Sequence, residues 1–216
     1  MSDGPTTHRA ARDHARALGG QKLLVSSPQG RFHYEALLGD ASHVTLASVE
    51  AYGEHLFYAF EGGQTVHVKL GTASRFSQHA SPPPAAHEST RWRLVGDSVT
   101  LDVEAPAACD LIGSQDRLTM LARLGPDPLR SDADPERFFA HAARSRCAVA
   151  NALRDQKVIA GVSEVDGARV LQALGIKVST PLRAIPRVSI EQLWSALVDG
   201  SAVEARGCSA NERTEA

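Results

Sequence analysis

The chain has 216 residues, of which 43% are hydrophobic and 22% charged, enough to bury a sizeable core in one or two domains. With 25 acidic against 23 basic residues its formal net charge is −2, which excludes an overall basic surface for nucleic acid and leaves only a local one. The three cysteines, Cys109, Cys147 and Cys208, are far apart in the sequence, which argues against a disulfide framework and favours a reducing, cytoplasmic location.

The amino-terminal segment leads into an alanine-rich helix predicted over residues 6–18, where apolar residues recur at helical spacing before two glycines. No secretory signal is expected, and no apolar run is long enough to span a membrane, so no membrane partner is expected either. If Met1 is removed, the Ser2 α-amine can attack an aldehyde and Asp3 can shuttle protons. A frayed terminus without a chemical role is the alternative.

The region from residue 22 to about residue 103 is typical of short β-strands separated by turns. Turns at 61–64 and 96–98 are short enough to close hairpins. Residues 79–90 include three consecutive prolines and predict an exposed loop. Short strands with turn signals between them favour a β-sandwich or barrel. The predicted strands lie at residues 23–25, 43–46, 55–60, 65–68, 92–95 and 99–103.

The second half of the chain is predicted to be helical. A short helix at 116–124 precedes a segment rich in Pro and Asp at 125–134, which is the predicted domain linker. Asp134 is a favourable N-cap for a helix that begins at Pro135. Two further helices are expected at 148–154 and 168–174.

The last predicted helix begins at a capping box formed by Ser189 and Gln192, and Trp194 on its apolar side is interpreted as a core residue. Residues 200–216 are polar and lack periodicity, which predicts a disordered tail.

Five stretches of the chain are informative when taken together and in order: the start Met1-Ser2-Asp3-Gly4 and residues 25–32, 51–57, 124–129 and 155–162. They resemble the formamidopyrimidine-DNA glycosylase and endonuclease VIII family, in particular its actinobacterial branch, over roughly residues 1–200.

The resemblance implies an α+β fold with an N-terminal helix and β-sandwich domain at 1–124, a linker at 125–134, a helical domain at 135–199 and a tail at 200–216. It also implies a degenerate helix-two-turn-helix in the helical domain, no zinc finger, and damaged DNA bound in a cleft between the two halves.

The family also implies which residues carry the chemistry. In its members, the amine of an amino-terminal proline attacks the sugar of a damaged nucleotide, and the resulting Schiff base permits strand cleavage. Ser2 falls at the proline position, and its primary amine yields an imine that must be protonated to be an equal electron sink. Asp3 falls at the position of a proton-moving glutamate and is one methylene shorter. The resemblance therefore implies Ser2 and Asp3 as catalytic residues in weakened form.

The family's contacts with DNA are substituted as well. Glu54 falls at the position of a phosphate-contacting lysine and Glu164 at that of an asparagine in the helix-two-turn-helix, so carboxylates replace groups that bind DNA. Lys69 and Arg75 bracket residues 71–74, which are too small to form the family's wedge, and are interpreted as remnants of a DNA-facing surface. A solvated helix start and a solvated basic face are the alternatives.

The nine histidines contain no metal-binding motif such as H-E-x-x-H. His55 and His67 could meet across a hairpin, but two histidines on a strand surface are the favoured interpretation. Cys208, where the family's zinc finger would begin, cannot by itself form a site with four ligands. We therefore expect no metal and no other cofactor.

Two functions stay open at this point, and with them the question of whether the protein is an enzyme. One is a non-catalytic relative that uses the family's scaffold to bind damaged or abasic DNA weakly, or to bind a protein partner. The other is a weak DNA glycosylase or abasic-site lyase with the Ser2 α-amine as the nucleophile.

Overall fold

A computed structural model describes residues 4–30 and 43–206, with side chains described as far as Gly200. The predicted catalytic residues Ser2 and Asp3, and also Cys208, lie outside the described residues. The described chain is α+β and forms two compact units. The first includes residues 10–119, and the second includes the chain from Met120 onward together with residues 4–9 of the first helix. The division falls between Thr119 and Met120, inside the helix Ser114–Ala122 and ahead of the linker predicted at 125–134.

Helix α1 (Gly4–Leu18) begins two residues before the predicted start. Its buried positions recur at helical spacing, at Thr7, Ala10, Ala11, His14 and Leu18. The two polar members of this face do not fit a purely apolar stripe. The His14 imidazole Nδ1 is 2.8 Å from the Tyr58 hydroxyl, so its burial is accompanied by a hydrogen bond.

Eight antiparallel strands form one sheet in the order β5-β7-β6-β1-β2-β3-β4-β8. The hairpin turns predicted at 61–64 and 96–98 connect β3 to β4 and β6 to β7, as expected. The strands are β1 (Lys22–Ser26), β2 (His43–Tyr52), β3 (His55–Phe60), β4 (Thr65–Lys69), β5 (Arg75–Ala80), β6 (Thr90–Val95), β7 (Val99–Glu104) and β8 (Ala108–Ile112).

This single sheet folds over on itself to make the two packed layers that the sequence predicts as a sandwich. Strands β3 and β6 are three positions apart in the sheet, about 14 Å if the sheet were flat. The rings of Tyr58 on β3 and Trp92 on β6 nevertheless pack edge to face with their centroids 5.0 Å apart. The layers stay connected because β1 pairs with both β2 and β6.

The helices that follow the sheet enclose a second apolar core, which includes Phe138, Leu153 and Leu193. Trp194 packs against this core with its ring centroid 6.1 Å from that of Phe138, which confirms its interpretation as a core residue. The helices are α2 (Ser114–Ala122), α3 (Pro135–Ala142), α4 (Val149–Arg154), α5 (Glu164–Ala173) and α6 (Arg187–Arg206), with a 3-10 turn at Leu182–Ala184.

Two helix ends confirm or correct the sequence predictions. Asp134 caps α3, accepting the Glu136 backbone N–H at 3.0 Å, as predicted. The predicted capping box at Ser189 is wrong, because α6 begins at Arg187 and Ser189 lies in its first turn.

The predicted disorder from residue 200 onward is also wrong for residues 200–206, which continue α6. Once a helix exists, each added residue contributes a hydrogen bond without a new nucleation step, so apolar periodicity is not required for the helix to continue. The rest of the predicted tail, 207–216, lies outside the described residues. None of the described helices has the length and apolar character needed to cross a membrane.

Candidate functional site

The start of helix α1 lies against the turn at Gly161, and both belong to the second unit. The Gly4 backbone N–H donates to the carbonyl oxygen of Gly161 at 3.1 Å. A Cβ atom on Gly4 would lie 2.2 Å from that oxygen, so only glycine permits this approach. Gly161 itself has a φ of 75°, a conformation that favours glycine. The two glycines therefore hold the amino-terminal turn of the chain on the loop that precedes α5.

The Gly161 turn is in turn held by the segment that includes Gly125. The Gln156 side-chain oxygen accepts the Gly161 N–H at 2.8 Å, and the Gln156 carbonyl accepts the Gly125 N–H at 2.8 Å. The Ala160 N–H donates to the Pro126 carbonyl at 3.1 Å. These hydrogen bonds join the stretches 124–129 and 155–162, two of the five stretches on which the family resemblance rests.

A hydrogen bond to a buried carboxylate fixes helix α1 one turn further along. His8 Nε2 is 2.8 Å from Asp127 Oδ2, and the Asp127 side chain is fully buried. The Leu129 N–H donates to its other oxygen at 2.9 Å. Sequence reasoning did not identify this pair. His8 follows Gly4 by four residues, so both lie on one side of the helix. This spacing is the sequence signal that could have indicated a role for His8 in anchoring the helix.

Glu164 is the first residue of α5 and lies next to the Gly161 turn, as the sequence predicts. Its carboxylate is exposed and forms an ion pair with Arg154. Ser163 is the N-cap, and its hydroxyl oxygen accepts the Asp166 N–H at 3.0 Å. The side chain of Asp166 is buried, accepts the Ser163 hydroxyl and forms an ion pair with Arg169 at 2.7 Å. A serine oxygen and two carboxylates thus occupy the helix start, where an anion would otherwise find N–H donors.

Glu54 and Lys69 lie at the same end of neighbouring strands in the first unit. Glu54 lies in the turn between β2 and β3, and its carbonyl accepts the Leu70 N–H at 3.4 Å. Lys69 ends β4 directly opposite His55. The structure therefore brings Glu54 close to Lys69, one of the two predicted basic remnants.

Arg75, the other basic remnant, begins strand β5 and is engaged within the fold. Its guanidinium Nε is 2.7 Å from the buried carboxylate of Glu104. Glu104 also accepts the hydroxyls of Ser77 and Ser89 at 2.5 and 2.8 Å. Although burial opposes ionisation, these hydroxyl and guanidinium donors lower the pKa of Glu104 to about 2. Arg75 is thus the partner of a permanently ionised carboxylate.

Residues 71–74, between Lys69 and Arg75, form a turn that is held by hydrogen bonds of Ser74. The Ser74 hydroxyl accepts the Gly71 N–H at 2.7 Å and donates to the Ala105 carbonyl at 3.0 Å. Ala105 has a φ of 43°, which is uncommon for a residue with a side chain. The turn carries no side chain larger than that of Thr72, in agreement with the small surface expected from the sequence.

His55 and His67 do meet across the hairpin, with His55 Nδ1 and His67 Nε2 2.8 Å apart. Burial, together with the charge of His67, lowers the pKa of His55 to about 4, and burial also lowers the pKa of His67. Both imidazoles are therefore neutral at pH 7, and one donates to the other. Within the described ranges 4–30 and 43–206, no three His, Cys, Asp or Glu side chains are grouped so as to hold a metal ion.

The predicted site residues that the structure describes are divided between the two units. The second unit holds the start of α1, the Gly161 turn and Glu164, while the first holds Glu54, Lys69 and Arg75.

Comparison with known proteins gives relatives along most of the chain. Endonuclease 8 1 of Mycobacterium tuberculosis is 38% identical over 202 residues, which cover 92% of this chain and 75% of that protein. Formamidopyrimidine-DNA glycosylase of Desulfitobacterium hafniense is 25% identical over 198 residues, covering 89% of this chain and 72% of the relative. No protein-family model matches the chain.

Solved structures agree at the level of the fold. Lactococcus lactis formamidopyrimidine-DNA glycosylase, bound non-covalently to DNA that contains an AP site, superimposes with a TM-score of 0.80 at 16% identity and covers 94% of this chain and 82% of that one. At this identity the likeness concerns the fold alone. The extent and identity of the match to the mycobacterial endonuclease show that this chain belongs to the formamidopyrimidine-DNA glycosylase and endonuclease VIII family.

Proposed function

We propose that this protein binds damaged or abasic DNA as a catalytically impaired member of its family. Membership in a family of DNA repair proteins supports DNA as the partner. Solved structures that share the fold include Lactococcus lactis glycosylase bound to DNA that contains an abasic site. Impairment is supported by the substitutions at Ser2, Asp3, Glu54 and Glu164, which fall at four positions that serve one reaction.

The observation that carries the proposal is the start of α5. Glu164 and Asp166 place two carboxylates in the first turn, and the Ser163 hydroxyl already accepts one of its N–H groups. At about 5 Å and an effective dielectric constant near 20, a carboxylate and a phosphate repel each other by about 3 kcal/mol before screening. Arg154 and Arg169 neutralise part of this charge. A phosphate is therefore held weakly here, and DNA binding depends on other contacts.

A charge-reversal variant tests this account. Glu54→Lys combined with Glu164→Asn removes two negative charges and adds one positive charge, so the net charge rises by three at the two positions that oppose phosphate. We expect an increase of roughly tenfold or more in affinity for duplex DNA with an abasic site, and a steeper dependence on salt. Fluorescence anisotropy at several salt concentrations measures both.

The matched control makes the same change in net charge at other positions. Glu61 lies exposed in the β3–β4 turn and Glu191 on α6, so Glu61→Lys with Glu191→Asn changes net charge equally. The control should change affinity by no more than about threefold. Equal effects of the two double variants would mean that neither Glu54 nor Glu164 opposes DNA, and would contradict the proposal.

The alternative function, a weak abasic-site lyase, is favoured by one specific observation. Gly4 is held on the Gly161 turn, and two residues of chain span at most about 7 Å, so a nucleophile at Ser2 has a fixed point of attachment. A primary amine forms a Schiff base with an abasic sugar that borohydride reduces to a stable adduct.

Borohydride trapping with duplex and single-stranded abasic DNA decides between the two functions. The proposal expects salt-sensitive binding without an adduct. An adduct that disappears when the amino terminus is acetylated would establish the lyase instead. If the protein gives no adduct and shows no salt-sensitive binding to DNA, the hypothesis of a protein partner is favoured.

A further inference from the structure

A pocket in the second unit lies between α4 and α5, and neither Gly4 nor Gly161 lines it. Its volume is about 190 Å³. The buried side chains of Leu153 and Leu171 contribute to its apolar lining, and Ala168 and Val178 are exposed parts of that lining. Pockets for drug-sized ligands measure roughly 300 Å³ or more, so this one has room for a single small ring system.

The same lining includes one cation and one anion side by side. The Arg154 guanidinium and the Glu164 carboxylate form an ion pair, and each side chain is about half exposed, at 54% and 55%. An exposed ion pair contributes little to stability, so a ligand can replace it at small cost. A ligand that fits therefore has apolar faces for the leucines and an edge that offers a donor to the carboxylate and an acceptor to the guanidinium.

This combination selects among ligand classes. An apolar side chain of a protein would fill the pocket but would offer nothing to either charged group. A free phosphate or carboxylate would contact the arginine and be repelled by Glu164. A nucleobase has both the flat apolar faces and the polar edge. Guanine fits best, since it presents two adjacent N–H donors beside a carbonyl oxygen, whereas adenine offers only its amino group as a donor on the corresponding edge.

We propose that the pocket between α4 and α5 binds a guanine base, with Glu164 accepting hydrogen bonds from its N1 and N2 groups and Arg154 donating to its O6. The sugar and phosphate of the nucleotide remain outside, because the pocket has room for the base only. Guanine can come from a free nucleotide or from a single-stranded nucleic acid. The chemistry in the pocket is the same in both cases.

Titration of the full-length ¹⁵N-labelled protein, followed by NMR, tests the proposal. The ligands are guanosine and adenosine monophosphates, an oligothymidylate that carries one guanine, and the same oligomer without it. We expect guanosine monophosphate to shift amide signals of residues 150–154 and 163–171 saturably, at least about tenfold more tightly than adenosine monophosphate. Tighter binding of the guanine-containing oligomer than of the mononucleotide identifies a strand as the source, and the reverse identifies a free nucleotide.

Two variants with matched controls distinguish the loss of guanine binding in the pocket from non-specific effects of the substitutions. Ala168→Leu obstructs the pocket from the exposed side of α5, while Ala173→Leu makes the same change at an exposed position of that helix outside it. Glu164→Gln removes the carboxylate, and Glu191→Gln removes a comparable carboxylate paired with Arg187. We expect the first member of each pair to reduce guanine binding at least about fivefold and the second to leave it unchanged.

Glu164 also opposes phosphate in the proposed function, so the readout for the oligomers is the ratio of affinities with and without guanine. A general change in DNA binding does not alter this ratio. The proposal of a guanine pocket can therefore fail while the proposed function stands, and the proposed function can fail while the guanine pocket stands. Equal shifts with guanosine and adenosine monophosphates, or undiminished guanine binding by Ala168→Leu, would overturn the proposal.

Discussion

The hydrogen bond between His14 and Tyr58 joins helix α1 to strand β3 inside the first core. The side chains of both residues are almost fully buried, and the Phe76 ring packs edge-on against the imidazole at 4.6 Å. Burial lowers the pKa of His14 from 6.5 to about 4 and raises that of Tyr58 well above 10. Both side chains are therefore neutral at pH 7, and protonation of His14 would destabilise the folded state.

This pair predicts a loss of stability in mild acid. The folded-state pKa of His14 lies below the unfolded one, so between pH 6.5 and about 4 the unfolded chain binds more protons. The stabilisation is complete above pH 6.5 and is lost as the pH falls towards 4. At about 1.4 kcal/mol for each pKa unit, His14 alone accounts for ~3 kcal/mol of unfolding free energy.

Urea unfolding at pH 7 and 4.5 measures this effect. The chain has two tryptophans, so in a Trp194→Phe background the fluorescence reports Trp92 in the first unit. Replacing His14 with Gln in this background should flatten the pH dependence, and replacing the exposed His43 with Gln should not. His55 and His67 also have lowered pKa values, so part of the dependence persists. An unchanged slope in His14→Gln would exclude the imidazole as its main source.

Strand β5 shows how polar contacts define an element that hydrophobic patterning misses. Its outward side chains pair with two buried carboxylates of β7: Arg75 and Ser77 with Glu104, and His79 with Asp102 at 3.4 Å. Only Phe76 on the opposite face packs against the core. Residues 75–80 therefore lack the apolar alternation that predicts a strand, although they form six backbone pairings with β7.

Removing the charge of Glu104 should loosen this edge of the sheet. Glu104→Gln keeps the size of the side chain but weakens three hydrogen bonds, each of which involves a charged acceptor. We expect a loss of about 2 kcal/mol in unfolding free energy, since the exposed Arg75 can return to water. Relative to the wild type, the variant should show a larger increase in amide hydrogen exchange rate in β5 than in β3. The control, Glu61→Gln in an exposed turn, should stay within about 0.5 kcal/mol of the wild type.

At the scale of the whole molecule, helix α1 belongs to both compact units. Residues 4–9 belong to the second unit and residues 10–18 to the first. In the second unit the helix is held by the hydrogen bond of Gly4 with Gly161 and by that of His8 with Asp127. A continuous helix with a residue anchored in each unit links their unfolding, so we expect one cooperative transition.

Asp127→Asn tests this coupling. It leaves the buried site filled but removes the charge that His8 contacts, and we expect it to lower the unfolding free energy by about 2 kcal/mol. Fluorescence of Trp92 in the Trp194→Phe background reports the first unit, while far-UV circular dichroism reports chiefly the helices of the second. Both midpoints should fall together. A shift confined to the circular dichroism would mean that the units unfold separately. Asp132→Asn, which breaks an exposed pair with Arg130, is the control and should change little.

The sequence by itself determined the features whose causes are local. The helix predicted at 6–18, two hairpin turns, the Asp134 cap and the order of a β-rich half before a helical half follow from hydrophobic periodicity and turn chemistry over a few residues. The ordered motifs were also sufficient to identify the family. Each of these signals depends on residues that are close together in the sequence, and the sequence alone specifies which residues these are.

Only the tertiary structure decided which distant groups meet. Gly4 meets Gly161, His8 meets an aspartate 119 residues away, and the Glu164 carboxylate meets Arg154 of the preceding helix. Many residues of suitable chemistry were available for each partnership. The choice among them is made by the packing of whole elements, because burying a polar group is favourable only where its partner arrives with the correct geometry.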